Sequence, residues 1–104
     1  MSHTYENVTL DVRPNVYFDG RCVSHTFHTA DGARKSAGVI LPGTYTFGTG
    51  EPEVMDLGSG RCRVLLPGAD TWAEHGAGES FSVPGEASFE IEVLETLGYV
   101  CHYG

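Results

Sequence analysis

Glycine or proline interrupts this chain so often that no window is left for an amphipathic helix of normal length. Fourteen glycines and five prolines are spread over 104 residues, and a helix interior loses about 1 kcal/mol to each glycine and about 3 kcal/mol to each proline. The segments between the breakers are short and alternate at period two, the pattern of half-buried strands. Val8, Leu10 and Val12 share one side of the first such run, and Val23, His25 and Phe27 share one side of another. Asp31-Gly32 is the strongest turn, because both residues tolerate positive φ. Further turns are predicted at Pro42-Gly43, Gly58-Ser59-Gly60, Pro67-Gly68 and Pro84-Gly85, with a loop around Trp72 and strands over 61–66, 80–83, 88–94 and 99–103. Strands this short and evenly spaced predict an all-β sandwich or barrel. One domain spans 1–104, with residues 1–15 as an N-terminal extension or edge strand.

Charge narrows the range of partners. With 14 acidic residues against 6 basic ones, the molecule repels phosphate polymers and anionic membranes, so no nucleic-acid polymer or lipid surface is expected. Cys22, Cys62 and Cys101 are odd in number and far apart, which fits reduced thiols rather than a zinc or redox motif. The first ten residues lack a basic and apolar leader, and no later run approaches transmembrane length, so a cytoplasmic protein is expected.

Two stretches resemble the paired motifs of cupin barrels: Gly50-Glu51-Pro52-Glu53 leading to Gly58-Ser59-Gly60, and Gly78-Glu79-Ser80-Phe81-Ser82-Val83-Pro84-Gly85. In that superfamily a His-x-His pair, a Glu and a third His hold a metal. Here Glu53 takes the glutamate place and Gly60 the closing glycine, while Phe47, Thr49 and Phe89 fall on the histidine places. Two phenylalanines and a threonine cannot replace imidazole donors. The reading is therefore a cupin-like (double-stranded β-helix, or jelly-roll) barrel with no metal.

A tighter likeness runs along nearly the whole chain. It comprises Tyr17-Phe18-x-Gly20, Ser36-x-Gly38-Val39, Gly43-x-Tyr45-Thr46-Phe47-x-Thr49-x-Glu51-Pro52-Glu53, Val64-Leu65-Leu66-Pro67, Val83-Pro84-Gly85 and Tyr99-x-Cys101-x-Tyr103. Together these resemble the small pyrimidine/purine nucleoside phosphorylases. The resemblance implies phosphorolysis of a wide range of nucleosides, with inorganic phosphate as co-substrate, no cofactor, and a homodimeric assembly. One departure is His102, where that family often has Arg.

Cleaving the bond from C1′ to the base builds oxocarbenium character on the sugar while phosphate approaches the opposite face. Phosphate must be held, the sugar oriented, and the departing base stabilised. The cupin likeness implies that the ligand places point into the barrel, and period-two neighbours share that face, so Tyr45, Phe47 and Thr49 are expected inside, with Glu53 and Phe89 across from them. Phe47 and Phe89 offer flat surface for stacking a base without reading its edges, although inward aromatics of small barrels also serve simply as core. Glu53 and Glu51 are the candidate catalytic carboxylates, or else solvated strand-end acids. The family likeness makes Arg34, which precedes its Ser36-x-Gly38 match, the first candidate for phosphate, aided by Ser36 and the small Gly38, or else a solvated hairpin charge. Arg61 and Arg63 read as surface charges.

The histidines suggest no shared site. His25 and His28 fall on opposite faces of a strand, His75 lies in the Trp72 loop, His3 in a loose terminus, and His102 points away from Cys101 and Tyr103. Cys101 reads as a buried small hydrophobe. The competing functional reading is a non-catalytic small-molecule-binding cupin, a sensor or sugar-binding module.

Overall fold

A computed structural model describes residues 4–104. His3 lies outside that range. The described chain forms nine strands: β1 (Thr9–Leu10), β2 (Asn15–Tyr17), β3 (Cys22–His28), β4 (Arg34–Ile40), β5 (Gly43–Gly48), β6 (Glu53–Leu65), β7 (Ala73–Gly76), β8 (Ser80–Val83) and β9 (Ser88–Tyr103). A single turn of 3-10 helix, Phe18–Gly20, follows β2.

Two long strands organise the rest. β6 and β9 pair antiparallel from Glu53↔Tyr103 to Leu65↔Glu90. On the free edge of β9, β4 pairs with Leu97–His102 and β5 with Ser88–Val93. On the free edge of β6, β8 pairs with Glu53–Asp56 and β7 with Arg61–Val64. The register of β6 slips three times between Leu57 and Cys62. Bulges of this kind bend a strand and sharpen its twist. They divide the long pair into two halves whose apolar faces meet, so that one core cluster draws on Met55, Leu57 and Cys101 from one half and on Val64, Phe89 and Ile91 from the other. Among the described residues the hydrogen-bond ladder does not close on itself, and apolar packing joins the halves instead.

Several boundaries differ from the sequence reading. Gly58-Ser59-Gly60 is not a turn but the bulged middle of β6. Gly60 has φ +88°, and a Cβ there would lie 2.2 Å from the Thr96 carbonyl oxygen. A loop-like glycine pair therefore marks a place where two strands must touch. The runs 88–94 and 99–103 belong to one strand, β9. His75, expected in a loop, lies in β7, paired with Cys62. Within the run 8–12, only Thr9–Leu10 is strand, and Val12 is exposed. Val23, His25 and Phe27 do share a face, but it is the outer one; Cys22 and Ser24 carry the inner face, and Phe27 is buried beneath the Tyr5 ring.

Other turns fall where the residues place them. Between β3 and β4, the Asp31 carboxylate accepts hydrogen bonds from the Thr29 hydroxyl and the Ala33 N–H, and Gly32 has φ +86°. Pro42 carries the chain from β4 to β5, and Pro84 and Gly85 carry it from β8 to β9. Of the described helices, none is long and apolar enough to cross a membrane.

Candidate active site

The inner face of β9 runs without a phase change. Phe89, Ile91, Leu97, Tyr99, Cys101 and Tyr103 all have odd numbers, and the buried members define that face. In β6 the bulge inverts the phase, so Glu53, Met55 and Leu57 face inward before it and Cys62 and Val64 after it. Directly opposed residues of paired strands share a face. Phe47 is opposite Phe89, and Glu53 is opposite Tyr103. Ser36 is opposite Cys101, and Gly38 opposite Tyr99.

Of these, Phe47, Phe89, Glu53, Ser36, Tyr99 and Tyr103 line a cavity of about 250 Å³. Its apolar lining includes Phe18, Met55, Ile91 and the stacked pair Phe47 and Phe89, whose rings are 5.8 Å apart at 22°. The polar part of the wall carries Glu53 and the hydroxyls of Ser24, Ser36, Tyr99 and Tyr103. Apolar surface with a few convergent polar groups is the ordinary build of a small-molecule site.

The polar wall is internally satisfied. Ser36 Oγ and Tyr103 OH are 2.9 Å apart, and the Cys101 thiol donates to Glu53 Oε1 at 3.5 Å. Burial pushes the Glu53 carboxyl above the usual glutamate range, offset in part by the Cys101 hydrogen bond and by the Arg34 charge. The Cys101 thiol is pushed up to about 12, first by burial and then by the Glu53 charge, which makes it a neutral donor and a poor nucleophile. Burial likewise lifts Tyr103 to about 12 and raises Tyr99 further, so both keep their protons at neutral pH. Gly38 makes room for this wall, because a Cβ there would lie 2.9 Å from the Tyr99 hydroxyl oxygen and 2.5 Å from the Val23 carbonyl.

Arg34 and Glu51 meet at the rim. Arg34 Nη2 donates to Glu51 Oε1 at 2.6 Å, both side chains are about half exposed, and the guanidinium carbon sits 4.5 Å from the Tyr103 ring centroid. Neither residue is among those that line the cavity. Ser36 lies within it, 2 % exposed. Tyr45 is buried beside the cavity, where its hydroxyl donates to the Leu41 carbonyl at 2.7 Å and accepts from Arg21 Nε at 3.1 Å. Thr49 follows β5 and ties its end to the turn before β9, donating to Pro84 O at 2.7 Å and accepting from Ala87 N–H at 3.1 Å. The structure thus gathers Glu53, Phe47, Phe89 and Ser36 around one cavity, sets Arg34 and Glu51 at its edge, and leaves Tyr45 and Thr49 beside it.

The sequence reading passed over Ser24, Tyr99, Tyr103, Tyr17 and Phe18 as lining residues. The two tyrosines of β9 were reachable by carrying the parity of Phe89 onward to Tyr103. Outside the cavity, His102 faces the opposite way, with Nε2 donating to Asp56 Oδ2 and Lys35 Nζ donating to Nδ1, each at 2.6 Å. Arg61 pairs with Glu74 and Glu95, and Arg63 with Glu92. Among the described residues, no three His, Cys, Asp or Glu side chains are grouped to hold a metal ion.

Comparison with known proteins adds identity to this geometry. A cupin domain, that of Schizosaccharomyces pombe Cnp3, superposes with a TM-score of 0.63 at 11% identity, covering 89% of this chain and 69% of that one, which makes the fold a cupin fold. A protein of unknown function from Acinetobacter sp. ADP1 superposes with a TM-score of 0.95 at 45% identity, covering 99% of this chain and 100% of that chain. A pyrimidine/purine nucleoside phosphorylase of Nocardia farcinica is 60% identical over 100 residues, 96% of this chain and 97% of its own length. Residues 12–103 match the family described as pyrimidine/purine nucleoside phosphorylase, and the chain belongs to that family.

Proposed function

We propose that the cavity performs phosphorolysis of purine and pyrimidine nucleosides without a metal, turning nucleoside and phosphate into free base and pentose 1-phosphate. One observation carries the reading: in a member of this family, a partly buried carboxylate, Glu53, and a stacked aromatic pair line one cavity of about 250 Å³, the scale of one small molecule. Glu53 accepts the sugar hydroxyls and, as a carboxylate, stabilises positive charge developing at C1′. The hydroxyls of Ser36 and Tyr103 contact phosphate from inside, and Arg34 contacts it from the rim, while Glu51 holds the Arg34 guanidinium against the Tyr103 ring. The apolar wall takes the base by contact rather than by hydrogen bonds to its edges, which suits many bases at once.

The protein acts in the cytoplasm as a homodimer, in this reading. Purified protein incubated with uridine, inosine or adenosine should release base only when phosphate is present, as measured by chromatography. Thermal stabilisation by nucleosides without any phosphate-dependent product would instead mark a ligand-binding module.

A further inference from the structure

The Tyr17–Gly20 turn is a part of the cavity wall that neither the carboxylate chemistry nor the core accounts for. Phe18 lines the cavity yet remains 41% exposed. Its ring stands perpendicular to that of Phe47, with centroids 5.3 Å apart at 88°, and tilts against Tyr45 at 4.9 Å. The stacked rings of Phe47 and Phe89 are already at contact separation, so no base fits between them. Phe89 is 4% exposed and closed off on another side by Phe81. A base that stacks on Phe47 must therefore lie outside the Phe47–Phe89 pair, and of the rings packed on Phe47, Phe18 is the one that both lines the cavity and is exposed.

The backbone of the turn is unusual in the same place. Phe18 and Asp19 have φ of +53° and +55°, a conformation that costs a residue with a side chain about 1–2 kcal/mol and recurs at ligand clamps. A hydrogen bond from Arg21 N–H to the Phe18 carbonyl closes the turn, and space around Gly20 is open for 4 Å from its Cβ position.

We infer that Phe18 is a base-binding residue: its ring swings from perpendicular to parallel, and the base is taken between Phe18 and Phe47. The movement enlarges the cavity where the base enters and covers the base once bound. Two phenyl faces read ring area and not edge hydrogen bonds, so purines and pyrimidines are held alike. This inference rests on the nucleoside reading above.

The test compares wild type with F18A, F18L and F18W. F18L keeps apolar bulk for packing on Tyr45 but removes the flat face, and F18W restores one. Nucleoside affinity is read by saturation-transfer NMR with adenosine and uridine, which needs no turnover, and KM is measured separately for nucleoside and for phosphate. F18A and F18L should weaken both nucleosides about tenfold, with the phosphate KM within about twofold of wild type and F18W close to wild type. Wild-type nucleoside affinity in F18L overturns the inference while leaving phosphorolysis in place, and an equal loss for phosphate overturns it as well. Weakened nucleoside binding in F18L, alongside a wild type that releases no base, upholds the aromatic clamp and rejects the reaction.

Discussion

Glu53 is where stability and chemistry pull against each other. Its carboxyl titrates above the ordinary range because burial disfavours the charged form. A raised folded-state pKa means that the native protein binds this proton more tightly than the unfolded chain does. The favourable contribution is present below the ordinary glutamate pKa and is lost as pH rises through the folded value, so ionised Glu53 costs stability at neutral pH. Glu53→Gln should therefore melt higher than wild type at pH 7 in a calorimetric scan, with the gap closing as the pH falls into the usual carboxylate range. Turnover should fall about a hundredfold in the same variant, as when one electrostatic stabiliser of a transition state is removed. Wild-type turnover in E53Q would make the residue part of the scaffold. Arg34→Ala separates the second role. A charge-assisted contact is worth roughly 1.5–3 kcal/mol, so the apparent KM for phosphate should rise at least about tenfold while that for nucleoside holds. An unchanged phosphate dependence would leave the Arg34–Glu51 pair as a solvated surface bridge.

Among the elements, β6 shows most clearly what local sequence can and cannot convey. Period-two alternation on its inner face is plain from Glu53 to Leu57 and again from Cys62 to Val64, but the two runs are out of phase. Two glycines flank a serine at the junction, and such a triplet looks the same whether the chain reverses there or bulges there. Long-range pairing decides between them: Ser59 is opposite Gly98, and Gly60 presses on the Thr96 carbonyl. Gly60→Ala meets both a positive φ and that carbonyl, so it should lower stability by more than about 1 kcal/mol in a urea melt. A neutral result would show that the bulge tolerates rearrangement and does not hold the two halves in register. The all-β class and the Asp31-Gly32 hairpin were legible because turn residues act locally. The inward direction of Phe47 and Phe89 was legible because the cupin likeness supplied the register that period two alone lacks, but their stacking as neighbours on paired strands, rather than across the barrel, was not. Ser24 was not legible either, since its place in the cavity depends on the long-range pairing of β3 with β4 and of β4 with β9.

At the scale of the whole molecule, the outer face of the β3–β4–β9–β6 sheet is the feature that bears on assembly. Val16, Val23 and Val39 stand in one cross-strand row on it, with Val16 57% and Val39 45% exposed. Val54 and Val100 lie on the same face, toward β6. Apolar rows of this kind gain about 25 cal/mol for each Å² removed from water, and a second copy brings the same row to the contact by two-fold symmetry. Each chain also carries a net charge of −8, and two such chains repel. Burial favours the pair and charge opposes it, so the expected homodimer should tighten as salt rises from about 20 to 200 mM and the Debye length shrinks below the size of the protein. Light scattering coupled to size exclusion should read twice the chain mass at the higher salt. Val39→Glu adds a fifteenth acidic residue at the exposed β4 end of the row and should leave a folded monomer under the same conditions. A V39E protein that remains dimeric would move the interface off this face, and dimerisation that weakens with salt would show that ion pairs, rather than the valine row, hold the two copies together.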